Sequence, residues 1–408
     1  MRSDPERLRF EVAALDGAAR TGVLHTGHGP VTTPAFIPLA TRATVRSLES
    51  GEVERLGYEL VLGNTFHLLL APGPERIAEL GGLHSFMGWR RAILTDSGGF
   101  QIFSLAHGTV ADEIKGRRGR RESEGKVLEI SEDGVRFRSY VDGTERTLGP
   151  EGSMEVQAAL GSDIALVLDE CTPFHADREY TARSTERTHR WLDRCLAWHE
   201  RHGPRRQAVF GIVQGGVYED LRRASAEYVT AADVDGLAIG GSLGRDKAEM
   251  YEVVGEMTLP HLPADAPKHL LGIGDPDDLI EGIRRGIDLF DCAVPTRLGR
   301  HGMALAPLPG ERFRFDVRRA SYAEDAGPLV EGCPCPACRE HSRAYLHYLS
   351  RAEELTGARL ITLHNLTFVE RLVSGAREAI VAGELERYAE AVLGGRAPWE
   401  ARELITTR

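Results

Sequence analysis

Short apolar runs recur along residues 31–295, and a longer stretch with helical spacing follows each of them. The runs are nearly all apolar instead of alternating, which is typical of strands buried on both faces. They are AFIPLA (35–40), ELVLGN (59–64), RAILTD (91–96), DIALVLD (163–169), AVFGIVQG (208–215), GLAIGG (236–241), HLLGIG (269–274) and LFDCAVP (289–295). Eight such units predict an α/β fold of the (β/α)₈ TIM-barrel type, with a doubly wound open sheet as the alternative.

The intervening segments fit this barrel, apart from one long polar insertion. Residues 179–202 and 217–231 have the spacing and composition of amphipathic helices. Residues 105–150 are polar and glycine-rich, and two pieces of them, KVLEI and GVRFRSYVDG, alternate in the way that predicts a hairpin. The insertion also carries a basic patch from Lys115 to Arg121, for which we expect either a solvated loop or an auxiliary contact to RNA.

Composition narrows the class of protein. The chain has 408 residues, of which 42% are hydrophobic and 27% charged, as in ordinary globular proteins. No apolar run reaches the roughly 18 residues of a membrane helix, and the charged start has no export signal, so we expect a cytoplasmic protein without a membrane partner. The net charge of −11 means that any nucleic acid must be held by a local basic patch.

A tight cysteine cluster, GCPCPAC, predicts a metal site. Three thiolates at Cys333, Cys335 and Cys338 need a fourth ligand to complete a tetrahedral Zn²⁺ site, which would be closed and therefore structural. His364 in LITLHNL is the best candidate, although His341 and His347 also suit the spacing. The alternative is three reduced cysteines at the surface.

These features predict three regions. Residues 1–296 would form the barrel with an N-terminal lead-in and the insertion at about 105–150, and residues 297–365 a zinc-binding subdomain inserted after the eighth strand. Residues 366–408 would form C-terminal helices that complete the barrel.

Two aspartates at strand ends are the candidate catalytic groups. Asp96 in ILTDSGGFQIFSL and Asp291 in LFDCAVPTRLGR would face the same mouth of a barrel, where active sites lie, although a lone aspartate at such a place is often a helix cap. Other strand ends offer groups suited to a planar, hydrogen-bonding substrate: Asp169, Gln214, Gly240 and Gly241, with Phe100 for stacking. A pair of carboxylates also suits substitution at a sugar anomeric carbon.

The order and spacing of these motifs resemble the tRNA-guanine transglycosylases over nearly the whole chain. The motifs are TPAFIPLATRATVRSL, NTFHLLLAPG, TDSGGFQIFSL, LDECTP, GIVQGG, FDCAVPTR and the cysteine cluster followed by LITLHNL. The resemblance implies a zinc-containing, usually dimeric (β/α)₈ enzyme. Such an enzyme replaces guanine at the anticodon wobble position of tRNAs with U-G-U in the loop by a small 7-deazaguanine base.

The resemblance also implies roles for individual residues. Asp291 would be the nucleophile at the ribose C1′, and Asp96 the general acid and base. Asp169, Gln214 and the Gly241 amide would read the base edge. The segments that hold the RNA would be Gly272, Ile273, Gly274, Asp275, Thr296, Arg297 and Arg300.

This chain departs from the family pattern at two places. After Gly241 it continues SLGRDKAEM, where relatives that take the 7-aminomethyl-deazaguanine base carry LAVGE. Three bases are therefore candidates for incorporation: the aminomethyl base, its nitrile precursor and queuine. Asp275 stands where a phosphate-contacting lysine is common.

Two other functions compete with this interpretation. A non-catalytic RNA-binding partner subunit of the same family would lack one or both aspartates, and both are present. An unrelated barrel metallohydrolase would need histidines and carboxylates clustered at strand ends.

Overall fold

A computed structural model of the chain describes residues 7–107, 127–172 and 176–406. The predicted basic patch from Lys115 to Arg121 lies outside the described residues. In chain order the strands are β1 (Arg9–Asp16), β2 (Ala19–Thr26), β3 (Gly29–Thr33), β4 (Ala35–Ala40), β5 (Leu60–Gly63), β6 (Ala92–Thr95), β7 (Val127–Ser131), β8 (Gly134–Arg138), β9 (Glu145–Leu148), β10 (Ile164–Leu166), β11 (Ala208–Val213), β12 (Gly236–Ile239), β13 (Lys268–Leu270), β14 (Leu289–Cys292), β15 (Met303–Leu305) and β16 (Arg314–Asp316).

The helices alternate with the barrel strands and then dominate the C-terminal part. They are α1 (Ser50–Arg55), α2 (Thr65–Leu70), α3 (Pro74–Glu79), α4 (Gly82–Met87), α5 (Gly99–His107), α6 (Pro150–Leu160), α7 (Arg178–His202), α8 (Glu219–Ala231), α9 (Lys247–Gly255), α10 (Pro276–Arg284), α11 (Val294–Arg300), α12 (Pro336–Glu340), α13 (Arg343–Arg351), α14 (Leu355–Ala382), α15 (Leu385–Leu393) and α16 (Pro398–Thr406). Short 3₁₀ turns lie at Leu259–His261, Pro309–Glu311 and Ala320–Tyr322.

The predicted eight-stranded parallel barrel is confirmed. Strands β4, β5, β6 and β10 to β14 pair in parallel and close on themselves, with β4 beside β14 and β6 beside β10. Seven of the eight apolar runs contain one of these strands, and the run HLLGIG (269–274) overlaps β13, which begins one residue earlier. The strands close into a barrel, so the open-sheet alternative is wrong. The last run is shorter than predicted, because Cys292 ends the strand and Val294 begins α11.

An antiparallel sheet of β1, β2 and β3 packs near the starts of the barrel strands, and the sequence patterns did not predict it. The buried guanidinium of Arg20 on β2 binds both carboxylate oxygens of Asp288, the residue before β14, at 2.8 and 2.5 Å. The Glu59 carboxylate, just before β5, accepts from the backbone of Thr32 at 2.7 Å. The sheet is thus tied to the amino ends of the strands, which leaves the carboxyl ends for a site.

The insertion forms the predicted hairpin and one strand more. Strands β7 and β8 pair antiparallel, as expected for KVLEI and GVRFRSYVDG, and β9 adds to the other edge of β8. Val135 and Phe137 of β8 are buried, and their side of the sheet contributes to the core. This alternation of buried and exposed positions explains why the hairpin could be recognised from sequence.

The C-terminal region is organised around the 28-residue helix α14, whose middle is buried. This helix crosses the predicted boundary between residues 365 and 366, so the two predicted C-terminal regions share one helix. It packs against α11 and against β15, and α11 directly follows the strand that carries Asp291.

Candidate active site

A cavity of about 190 Å³ opens at the carboxyl ends of the barrel strands. That volume is far larger than the roughly 15 Å³ needed for one water molecule, so a small organic ligand can enter. Eight residues named from the sequence line it: Asp96, Phe100, Asp169, Gly240, Gly241, Gly272, Asp291 and Arg297. Convergence from so many strand ends is what a closed barrel makes possible.

Asp96 follows β6 and is held by four hydrogen-bond donors. Asn64 and Gln101 donate side-chain N–H groups to Oδ2 at 2.5 and 3.0 Å, and the backbone amides of Thr65 and Gly98 donate to Oδ1 at 2.9 and 3.2 Å. Burial nevertheless raises the pKa of Asp96 to about 7, helped by the negative charge of Asp291 and opposed by the donors. A carboxyl group with this pKa can both give and take a proton near neutral pH.

Asp291 lies within β14 and presents its carboxylate to the same cavity. Its oxygen Oδ1 lies 2.9 Å from Nε2 of His269 and accepts the backbone N–H of Gly272 at 3.2 Å. Among the described residues no hydrogen bond ends on Oδ2. The two carboxylates therefore differ: Asp96 is saturated with donors, and Asp291 has one oxygen available.

A second polar wall of the cavity comes from the ends of β10, β11 and β12. Asp169 accepts the side-chain N–H of Gln214 at 2.6 Å, and burial raises its pKa to about 6. The Gln214 side chain lies behind the cavity lining, and its Oε1 is buried without a hydrogen-bond partner among the described residues. Gly241 has φ +80°, and a Cβ there would lie 2.2 Å from Gln214 Oε1, so this position requires glycine.

Arg222 of α8 holds this wall together, and sequence reasoning missed it. Its guanidinium is fully buried and donates to the carbonyls of Gly216, Val213, Gly240 and Ser242 at 2.7 to 3.2 Å. Burial lowers its pKa to about 9, so the side chain stays charged at neutral pH. In sequence, one arginine on an amphipathic helix looks like a solvated residue.

The predicted RNA-holding residues fall into two groups. Gly272 is exposed at the mouth, and Arg297 and Arg300 are partly exposed on α11. Burial, with the nearby charges of Arg46 and Arg297, lowers the pKa of Arg300, which places Arg46 beside this pair. Arg46 was not predicted from the sequence.

The other predicted RNA-holding residues are turned inward or already paired. Ile273, Gly274 and Thr296 are buried, and the Thr296 hydroxyl donates to the carbonyl of Ala293 at 3.2 Å. Asp275 accepts from Arg314 at 3.1 Å. Side-chain contact with RNA is therefore open to Arg297 and Arg300 and closed to Thr296.

The predicted cysteine cluster is assembled together with His364. The Nδ1 atom of His364 lies 3.5, 3.6 and 3.3 Å from the sulfurs of Cys333, Cys335 and Cys338, and all four side chains are buried. Tetrahedral zinc with ordinary bond lengths would separate a nitrogen from a sulfur by about 3.6 Å. Nε2 of His364 faces the carbonyl of Leu305 at 2.8 Å, which leaves Nδ1 free of a proton for a metal.

Neither alternative histidine joins the cluster. His347 faces the carbonyl of Val317 through Nδ1 at 2.9 Å, and His341 packs on the ring of Tyr345. The four residues Cys333, Cys335, Cys338 and His364 thus form a possible metal-binding site.

The helix that carries His364 also supports the barrel mouth. Its next residue, Asn365, is buried, donates to the carbonyls of Pro295 and Met303 at 3.0 Å and accepts from the Leu305 amide at 2.7 Å. Gly299 of α11 approaches α14 so closely that a Cβ would lie 2.3 Å from the Thr362 hydroxyl oxygen. A metal that fixes α14 therefore also fixes the helix that carries Arg297.

A second group of potential ligands, His28, His84 and Asp163, lies near the starts of the strands, away from the cavity. The two imidazoles stack with ring centroids 3.5 Å apart, and Nε2 of His84 lies 3.0 Å from the carbonyl of Arg91. Nε2 must then carry a proton and cannot bind a metal through a lone pair. Within the described part of the chain, the ligand cluster that a barrel metallohydrolase would need is not found at the mouth.

Comparison with known proteins agrees with this geometry. A family model described as Queuine tRNA-ribosyltransferase matches residues 16–398. The chain is 51% identical to the Queuine tRNA-ribosyltransferase of Roseiflexus sp. (strain RS-1) over 388 residues, which cover 92% of this chain and 96% of that protein. The protein of the same name from Symbiobacterium thermophilum is 46% identical over 399 residues, covering 97% and 92% of the two chains.

None of the helices in the described ranges is both long and apolar enough to cross a membrane. The match over nearly the whole chain, together with the barrel and the cysteine–histidine cluster, identifies a tRNA-modifying pentosyltransferase. The chain belongs to the queuine tRNA-ribosyltransferase family.

Proposed function

We propose that the protein exchanges guanine at the anticodon wobble position of tRNA for a 7-deazaguanine base, through a covalent intermediate between the ribose and an aspartate. The observation that carries this proposal is the pairing of two different carboxylates, Asp96 and Asp291, in one cavity at the barrel mouth. Substitution at a sugar carbon with retention needs one carboxylate that attacks and one that moves protons.

In the first step Asp291 attacks. Its available oxygen, Oδ2, bonds to the ribose C1′ while the bond from C1′ to N9 of guanine breaks, and Asp96 gives a proton to the departing base. In the second step Asp96 takes the N9 proton of the incoming base, the new C1′–N9 bond forms, and the ester bond to Asp291 breaks. Two displacements at one carbon retain the anomeric configuration.

Asp169, Gln214 and the loop at Gly241 are proposed to bind the edge of the base. Asp169 offers acceptors to the N–H groups of a guanine-like ring, and Phe100 offers an apolar face beside it. Gln214, whose side chain lies behind the lining, orients Asp169 by donating to its carboxylate. The base must leave the stack of the anticodon loop to reach this depth, which is less costly for an unpaired base.

The loop after Gly241 bears on which base enters. Arg245 has an exposed side chain that pairs with Glu249 and lies outside the cavity lining. We infer that this loop shapes the pocket through its backbone, held by Arg222, instead of through a charged side chain. Competition among the aminomethyl base, its nitrile precursor and queuine measures the preference directly.

Arg297 and Arg300 are proposed to hold tRNA phosphates at the mouth, because they are partly exposed and close together on α11. We assign Zn²⁺ to the cluster of three cysteines and His364, since a neutral imidazole and three thiolates match its preferred ligands. When bound, the metal supplies rigidity between α14 and the cysteine loop. We also expect a homodimer that acts in the cytoplasm, where its tRNA substrate is found.

The test is incorporation of radiolabelled guanine into a tRNA with U-G-U in the anticodon loop, measured with zinc-loaded protein. We expect incorporation by the wild type, none with a tRNA whose loop lacks this guanine, and a protein–RNA adduct that survives denaturant. Asp291→Asn should give no adduct. Absence of incorporation by the intact protein contradicts the function, and an adduct that persists in Asp291→Asn contradicts the role of Asp291.

A further inference from the structure

His269 lies in the middle of β13, and its role is not evident from any of the sequence motifs. Its side chain is fully buried, and Nε2 lies 2.9 Å from Oδ1 of Asp291. We propose that His269 is a positioning residue: as a neutral imidazole it donates an N–H to Oδ1 and thereby leaves Oδ2 to bond with the sugar. This inference rests on the proposed role of Asp291 as nucleophile.

The surroundings of the ring determine which nitrogen carries the proton. Oδ1 of Asp291 is an acceptor, so the proton of the imidazole must sit on Nε2. The other nitrogen, Nδ1, is buried and has no hydrogen-bond partner among the described residues. A second proton there would be a buried donor without an acceptor on a charged ring, which is costly. These contacts therefore favour the tautomer of His269 that carries its proton on Nε2 and donates it to Asp291.

Two donors converge on the same oxygen, because the Gly272 amide also donates to Oδ1 at 3.2 Å. In the covalent intermediate Oδ1 becomes the carbonyl oxygen of an ester, which is a weaker acceptor than a carboxylate oxygen. When the ester bond between Oδ2 and C1′ breaks, the electron pair of that bond returns to the carboxylate. The two donors stabilise that negative charge, so they favour release of Asp291 over persistence of the adduct.

Loss of the donor should increase the amount of covalent adduct. In His269→Leu the carboxylate loses a charge-assisted hydrogen bond and the ester loses only a neutral one. The equilibrium between free enzyme and RNA adduct, at a fixed guanine concentration, should shift toward the adduct by about 5- to 30-fold. Release of RNA from the adduct by added guanine should slow by a similar factor. The dissociation constant for a tRNA whose loop lacks the target guanine should stay within about twofold, because the side chain is remote from the surface.

A pair of polar variants separates the hydrogen bond from packing. The amide nitrogen of glutamine reaches about as far as Nε2 of histidine, so His269→Gln should behave like the wild type, including the shape of its pH–rate profile. The amide of asparagine is one carbon shorter, so His269→Asn should behave like His269→Leu. Zinc content and the urea midpoint of each variant report on folding, and the glutamine and asparagine pair decides the question if the leucine variant does not fold.

The outcomes are distinct. An adduct fraction in His269→Leu and His269→Asn that is unchanged or lower than in the wild type overturns the inference, as does a glutamine variant that is as impaired as the leucine variant. Lack of any adduct in the wild type would instead contradict the proposed function.

Discussion

Replacing Asp96 by asparagine should make the protein's stability less dependent on pH. The folded-state pKa of Asp96 is about 7, above the ordinary value of 3.8 that applies to the unfolded chain. Below pH 3.8 both states are protonated and the group contributes nothing. As the pH rises toward 7, the unfolded chain ionises first, so the native state is progressively destabilised, and the full penalty of about 4 kcal/mol is present above pH 7.

The change between two accessible pH values can be calculated from these two pKa values. At pH 5 the penalty is about 2 kcal/mol and at pH 8.5 about 4 kcal/mol, so the wild type should lose about 2–3 kcal/mol between them through this group alone. Asparagine does not titrate. The asparagine destabilises the protein by a fixed amount, because its NH₂ group faces the donors of Asn64 and Gln101. This amount is the same at both pH values and therefore cancels in the difference between them.

The measurement is urea unfolding of wild type and Asp96→Asn at pH 5 and pH 8.5. Relative to the wild type, the variant should be more stable by about 2–3 kcal/mol at pH 8.5 than it is at pH 5. Asp133→Asn, at an exposed position, serves as the matched control and should show little change. A relative stability of Asp96→Asn that is flat with pH would refute the claim that burial raises the pKa of Asp96.

Three further variants test other parts of the site. Arg222→Met should lower the free energy of unfolding by about 3–5 kcal/mol in urea titrations, because it leaves buried carbonyls without a donor. It should also raise KM for the base. A decrease in the free energy of unfolding below about 1 kcal/mol would contradict the role of Arg222. Gly241→Ala should weaken base binding at least about tenfold in a competition assay, with little effect on tRNA binding, because its Cβ would collide with Gln214. Unchanged affinity for the base would show that the loop can move to accommodate the methyl group. Cys335→Ala should lose the metal in native mass spectrometry and about 2 kcal/mol or more of stability, and full zinc retention would argue against the ligand set.

The fold and the chemical groups of the site were largely predictable from local sequence. Strands buried on both faces leave a continuous apolar signature, so all eight barrel strands were located within a few residues. The ends of those strands must converge at one mouth in a closed barrel. For that reason Asp96, Asp169 and Asp291 could be placed around one cavity without knowledge of any contact. The cysteine cluster was equally local, because three thiolates within six residues have little freedom to separate.

Tertiary structure alone decided how each group is set for its task. The path of α14 was needed to choose His364 over His341 and His347 as the fourth ligand. No sequence pattern in β1 to β3 indicates that their sheet packs at the amino ends of the barrel strands.

The difference between the two carboxylates likewise arises from contacts between distant residues. Asp96 is surrounded by donors from α2 and α5, and Asp291 is bound by His269, which lies 22 residues earlier in the chain. Sequence determines where a side chain lies along an element, because that follows from a local period. The neighbours that set its pKa and its free oxygen come from other elements, and only their packing in space brings them together.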